Sequence, residues 1–231
     1  MTLLIFVRCK NGCILAADRK ATADSGYSRE EMKCQVYGKG WAVAGAGNSA
    51  SAIQKLFADL NDGVTALNVE QRIADKLGEY IQIMKGMKLE AEFIVLVARN
   101  GNVEAHAVRT SELGAYPRLI TAPFLCLGEE TPQIVADHYV KRRLKEKEFT
   151  ARDSIDVAPE VLAILKWACE EGTYVGDQPN YGLDIIILHN DGYYCQRRVK
   201  EEWAILKTDY VPVSRGSSPI VFQKFDAEAL P

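Results

Sequence analysis

Residue 2 is a threonine that directly follows Met1. A methionine before so small a residue is commonly removed, and its removal gives Thr2 a free α-amine. An α-amine titrates near pH ~7.7–8.0, so a useful fraction is unprotonated at neutrality. Such an amine can take the hydroxyl proton of its own residue, which makes nucleophile and general base one residue. Other catalytic chemistry finds little support. The chain has no G-x-S-x-G, no G-x-x-x-x-G-K-[ST] and no H-E-x-x-H. His106, His138 and His189 fall on a predicted strand, a helix and a turn, and no two share ligand spacing. No metal is expected, because zinc wants three or four clustered ligands, and no cofactor motif is present.

The six cysteines, Cys9, Cys13, Cys34, Cys126, Cys169 and Cys195, form no C-x-x-C pair. They read as reduced, buried or half-buried thiols, although Cys9 and Cys13 flank a predicted turn and can approach across it. The basic run Lys141-Arg142-Arg143-Leu144-Lys145-Glu146-Lys147 lies at the end of a predicted helix. Cations are favourable there, and no aromatic residues interleave with the charges as in a nucleic-acid surface.

Chemistry at Thr2 needs elements that hold it. The clearest are hairpins. Leu3–Val7, the turn Lys10-Asn11-Gly12 and Cys13–Ala17 form the first. Phe93–Ala98, Asn100-Gly101 and Val103–Val108 form another, and Leu183–Leu188, Asp191-Gly192 and Tyr193–Cys195 a third. Lys33–Tyr37 and Trp41–Gly45, linked by Gly38-Lys39-Gly40, add a further pair. Helical periods lie between them. Ile53, Leu56, Phe57 and Leu60 mark one helix. Val69, Ile73, Leu77, Tyr80, Ile81 and Met84 mark a second, with Asn68 and Gln71 as a capping box. Ile134, Val135, Tyr139, Val140 and Leu144 form a third stripe. Val157, Val161, Ile164, Leu165 and Ala168 form a fourth, with Pro159 in its first turn. Paired helices between paired hairpins predict two packed antiparallel sheets covered by helices, a four-layer αββα sandwich of α+β class. No linker or composition break divides residues 1–231, so one domain is expected.

Composition agrees with such a protein. The 231 residues are 48% apolar and 26% charged, the mix of a globular chain rather than a disordered, collagenous or coiled-coil one. A net charge of −3 gives no basic field for nucleic acid or an acidic membrane. The apolar runs are too short for a transmembrane span of ~20 residues. The apolar start carries no basic n-region and is too short for a signal peptide, so a cytoplasmic protein is expected.

The segment from Thr2 to Ala23, with Ala16-Ala17-Asp18-Arg19-Lys20-Ala21-Thr22-Ala23 at its end, resembles the mature N-terminus of proteasome β-type subunits, which are Ntn hydrolases. Lys33 before Cys34-Gln35-Val36-Tyr37, and the run Ala44-Gly45-Ala46-Gly47-Asn48-Ser49-Ala50, resemble further family segments. The resemblance implies the same αββα architecture. It implies Thr2 as nucleophile, Lys33 as the ammonium that favours negative charge beside it, and Asp18 as the carboxylate that orients the lysine. It also implies Thr22 as a substrate-strand contact and Gly47 as the oxyanion N–H.

The chain departs from the family in three places. The Thr2–Lys33 interval is shorter by one than in standard β subunits and is similar to that of Anbu, the bacterial ancestral β subunit. A family G-S-G has its counterpart in Gly128-Glu129-Glu130. A family D-x-x-S-G has its counterpart in Gly172-Thr173-Tyr174-Val175-Gly176, with Asp177 nearby. Three functions stay open. One is a threonine endopeptidase acting on peptides or unfolded proteins. The second is a connectase-like acyl transferase, and the third a non-catalytic structural subunit. Self-association into rings and an ATPase partner are what the resemblance further implies.

Overall fold

Asn11-Gly12 at the end of an apolar run turns the chain back on itself. The result is a hairpin of β1 (Leu3–Cys9) and β2 (Gly12–Asp18), paired antiparallel from Leu4–Ala17 to Cys9–Gly12. Every residue of β2 and all but one of β1 is buried, so both faces of this hairpin are covered. Leu3, Ile5 and Val7 face one core layer, and Leu4 and Phe6 face another. The computed structural model describes residues 2–22, 28–37, 40–60, 64–83, 89–111, 114–144, 148–170, 182–199 and 223–224.

The remaining strands and helices follow in chain order. They are β3 (Lys20–Thr22), β4 (Ser28–Glu30), β5 (Cys34–Tyr37) and β6 (Trp41–Gly47), then α1 (Ala50–Asp59) and α2 (Val69–Ile83). Next come β7 (Ala91–Arg99), β8 (Asn102–Ser111), β9 (Gly114–Leu119) and β10 (Phe124–Gly128), then α3 (Glu130–Tyr139) and α4 (Ser154–Glu170). β11 (Leu183–His189), β12 (Tyr193–Val199) and β13 (Gln223–Lys224) end the order. One sheet runs β10-β1-β2-β11-β12-β13 and the other β5-β6-β7-β8-β9, every pair antiparallel.

Three apolar layers join these elements. Leu3, Ile5, Ile14 and Ile185 meet α3 and α4 through Ala136, Val161 and Leu165. Leu4, Phe6, Leu15 and Ile186 meet the other sheet through Ala42, Ala44, Ala46 and Ile94. Trp41, Val43, Phe93 and Val95 meet α1 and α2 through Leu56, Ile73 and Leu77. The expected αββα sandwich is therefore present. The alanines of β6 face inward and its larger residues outward, which lets the two sheets approach closely.

Three expectations need correction. Ile134 does not join the α3 stripe: it is 62% exposed, and the buried face runs through Ala136 and Val140. Pro159 sits deeper in α4, because the helix starts at Ser154. Asn68 and Gln71 form no capping box. The Asn68 carboxamide oxygen accepts from Thr65, and Gln71 reaches forward to Asp75. Cys9 and Cys13 remain free thiols on opposite faces of their sheet. The basic run works in packing: Arg143 lies over the Trp167 ring at 4.2 Å, and Lys141 pairs with Asp137. Met84 and residues 145–147 lie outside the described residues. Among those described, no helix is long and apolar enough to cross a membrane.

Candidate active site

Thr2 stands at the entrance of β1 and is 3% exposed. Two neighbours fix it. Its carbonyl accepts the Glu129 N–H at 3.1 Å, while the next amide, Leu3 N–H, donates to Asp18 Oδ1 at 2.8 Å. The backbone ladder between β1 and β2 has already ended there, so the Asp18 carboxylate takes over as acceptor.

Asp18 ends β2 and is fully buried. Its other oxygen accepts from Lys33 Nζ at 2.9 Å and from the Lys20 N–H at 3.1 Å. Lys33 precedes β5, is 4% exposed, and also donates to the Lys20 carbonyl. Two contacts place its backbone: Gly45 N–H donates to the Lys33 carbonyl at 2.9 Å, and Gln54 of α1 donates to the Met32 carbonyl at 2.7 Å. Burying an ammonium costs several kcal/mol unless it is paired and hydrogen-bonded. Here it is both. Cys34, next to Lys33, is fully buried; burial, followed by the nearby Asp184, pushes its thiol well above the usual range. It is no rival nucleophile.

Gly47 closes the other side. Gly45 N–H points toward the β5 side, to the Lys33 carbonyl just before that strand, and Asn48 N–H toward the β7 side, to the Glu90 carbonyl just before that one. Alternation along a strand then turns the Gly47 N–H to the β5 side, beyond the start of that strand. It projects into a recess of about 40 Å³ whose wall includes Thr2, Thr22, Lys33 and Gly47. A Cβ at Gly47 would lie 2.5 Å from the Glu90 carbonyl oxygen, so packing against β7 already demands glycine. Thr22 reaches the rim of the recess on β3, where its hydroxyl hydrogen-bonds Ser28 at 3.0 Å. All five residues singled out in the sequence are thus brought together.

Several contributors are not evident from the sequence. Arg19 binds both oxygens of buried Asp184 at 2.8 and 2.7 Å and Glu30 at 2.9 Å, fastening β2, β4 and β11 directly behind Asp18. An aspartate inside the apolar run of β11 is the signal that could have revealed it. Gly128 has φ +137°, and a Cβ there would meet the Thr2 carbonyl oxygen at 1.8 Å. A larger cleft of about 830 Å³ shares Thr2, Gly47 and Asn48 with the recess and is lined also by Glu90, Ser111, Gly128 and Gln133. Residues 172–177, the counterpart of the family D-x-x-S-G, lie outside the described residues.

Anbu, the ancestral β subunit, from Yersinia bercovieri superimposes with a TM-score of 0.69 over 90% of this chain and 92% of that one, at 14% identity. Anbu from Hyphomicrobium sp. strain MC1 gives 0.67 over 90% and 93%, at 16% identity. The fold is proteasome-like. No protein-family model matches the chain, and no curated protein matches it in sequence. The likeness lies in the backbone over nine-tenths of the chain, with few identical side chains.

Proposed function

We propose that this chain is a proteasome-like N-terminal-threonine hydrolase. With Met1 removed, it cleaves peptide bonds of peptides and unfolded proteins through an acyl-enzyme on Thr2. The observation that carries this reading is the buried ion pair of Asp18 with Lys33, the lysine lining the recess together with Thr2. A subunit that only packs has no use for so costly a pair. The Lys33 charge favours the unprotonated α-amine and the developing alkoxide of Thr2. The amine takes the Thr2 hydroxyl proton as Oγ bonds to the scissile carbonyl carbon. The oxygen of that carbonyl, now negative, is directed at the Gly47 N–H. The C–N bond then breaks and the departing nitrogen takes the proton from the α-ammonium. Water, deprotonated by the same amine, splits the ester and restores Thr2.

Intact-mass analysis and a tripeptidyl aminomethylcoumarin assay test the reading together. Loss of Met1 is expected in the purified protein. Thr2→Ala is expected to lower turnover at least about a thousandfold, and Thr2→Ser to keep part of it. Retained Met1, or equal turnover by Thr2→Ala, would overturn the reading. The same reading has the subunit assembling into rings in the cytoplasm and receiving substrate from an ATPase. Sedimentation at micromolar concentration is expected to show a species well above the 25.7 kDa of one chain; a monomer alone would reject assembly.

A further inference from the structure

Most polar side chains around the large cleft are already engaged. Asn48 Oδ1 accepts the Glu90 N–H at 3.1 Å. Thr110 Oγ1 donates to the Leu89 carbonyl and accepts the Ala91 N–H, both at 2.9 Å. Glu92 is paired with Arg109 at 2.9 Å, and Ser111 Oγ donates to the Gly114 carbonyl at 2.9 Å. Gln133 is different. It is half-buried, lines the same cleft as Thr2, and makes no side-chain hydrogen bond with any described residue.

Its backbone is tied to the nucleophile. Gln133 N–H donates to the Glu129 carbonyl at 2.9 Å, and Glu129 N–H donates to the Thr2 carbonyl at 3.1 Å. Gln133 belongs to the first turn of α3, and helical side chains lean toward the helix N-terminus. That end is the one fastened to Thr2. A primary amide offers two N–H groups and a carbonyl, the complement of a peptide main chain.

Thr2 and Gly47 border both the small recess, which also holds Thr22, and this cleft. On the hydrolase reading the Thr22–Gly47 side takes the acyl half of a substrate and leaves the cleft to the other half. We infer that Gln133 hydrogen-bonds the main chain of the substrate on the leaving-group side of the scissile bond. The cleft then favours chains that continue past that bond over short ones. This inference rests on the hydrolase reading of Thr2.

The test compares two substrates, denatured casein and a tripeptidyl aminomethylcoumarin, whose leaving group is a small aryl amine. For Gln133→Ala, kcat/KM is expected to fall about tenfold further on casein than on the coumarin amide, the loss of roughly one well-placed hydrogen bond. In a Thr2→Ala background, adding Gln133→Ala is expected to weaken binding of fluorescein-labelled denatured casein by a similar factor. Equal losses on the two substrates, or unchanged casein binding, would overturn the inference. If wild type turns over neither substrate, the hydrolase reading falls and takes this inference with it, whereas equal losses in an active enzyme overturn the inference alone. Should Gln133→Ala melt early, Gln133→Glu keeps the size, loses both N–H donors, and is expected to show the same bias against casein.

Discussion

Leu3 N–H, Lys20 N–H and Lys33 Nζ all donate to the one carboxylate of Asp18. Asp18→Asn removes the charge that Lys33 needs and turns an N–H donor toward one of these partners. Breaking a buried ion pair costs about 3–5 kcal/mol, because the survivor stays buried and uncompensated. Asp18→Asn is therefore expected to melt well below wild type and to be inactive. Asp18→Asn/Lys33→Met no longer strands an ammonium. It is expected to be equally inactive yet more stable than Asp18→Asn alone. Calorimetric melting of wild type, the single variants Asp18→Asn and Lys33→Met, and the double variant closes the cycle, and simply additive losses would show that the two side chains share no energy. Gly128 makes a second case at this scale. Its φ of +137° and the 1.8 Å approach of any Cβ to the Thr2 carbonyl oxygen leave no room for Gly128→Ala without moving the nucleophile. A strain of about 1–3 kcal/mol is expected in unfolding experiments. Peptide turnover, measured below the melting temperature, is expected to fall further than that strain accounts for.

Elements differ in how plainly the sequence announces them. Asn11-Gly12, Asn100-Gly101 and Asp191-Gly192 declare three hairpins, because few residues tolerate the backbone that a tight turn needs. The layers follow from apolar strands with no polar face. The β3–β4 hairpin that carries Thr22 is three residues a side, too short for any period to show. Pairings such as Arg19–Asp184, 165 residues apart, are set by strand order, which local pattern does not encode. Thr2 is legible as chemistry by itself. Asp18, Lys33, Thr22 and Gly47 are legible only through their likeness to a family, since nothing local brings them together. Gln133 is illegible altogether, because its meaning lies in an α3 register that the apolar stripe misplaces around Ile134. That register makes a test at this scale. Ile134→Ala is expected to change unfolding free energy by less than about 0.5 kcal/mol, as for an exposed site. Leu162→Ala, fully buried on α4 in the same layer, is expected to cost about 2–5 kcal/mol. Urea unfolding of both variants checks the pair, and a large loss at Ile134 would place that side chain in the core.

Across the whole molecule, all six cysteines are buried free thiols, distributed between the helix-to-sheet layer and the sheet-to-sheet layer. Burial is the main cause that pushes Cys9, Cys13 and Cys126 up to about 12, from an ordinary value of 9.0. Cys34 is raised as well, again chiefly by burial. The sign of the pH dependence follows. Below pH 9 these thiols are protonated in both the folded and the unfolded chain, and their contribution to stability is fully present. Above pH 9 the unfolded chain releases protons that the folded chain still holds, so unfolding is favoured as pH rises toward 12. Each such thiol removes about 1.4 kcal/mol per pH unit in that window. Buried Tyr37, whose phenol is also raised by burial, adds to the trend above pH 10. Urea midpoints are therefore expected to fall steeply between pH 9 and 10.5 while changing little between pH 7.5 and 8.5. Cys13→Ala lowers stability at every pH by the packing it removes, but its alkaline slope is expected to be shallower by the share of one thiol. If the slopes of variant and wild type coincide, the Cys13 thiol does not titrate with unfolding. The seam between the two sheets beside Cys13 would then already admit water in the folded state.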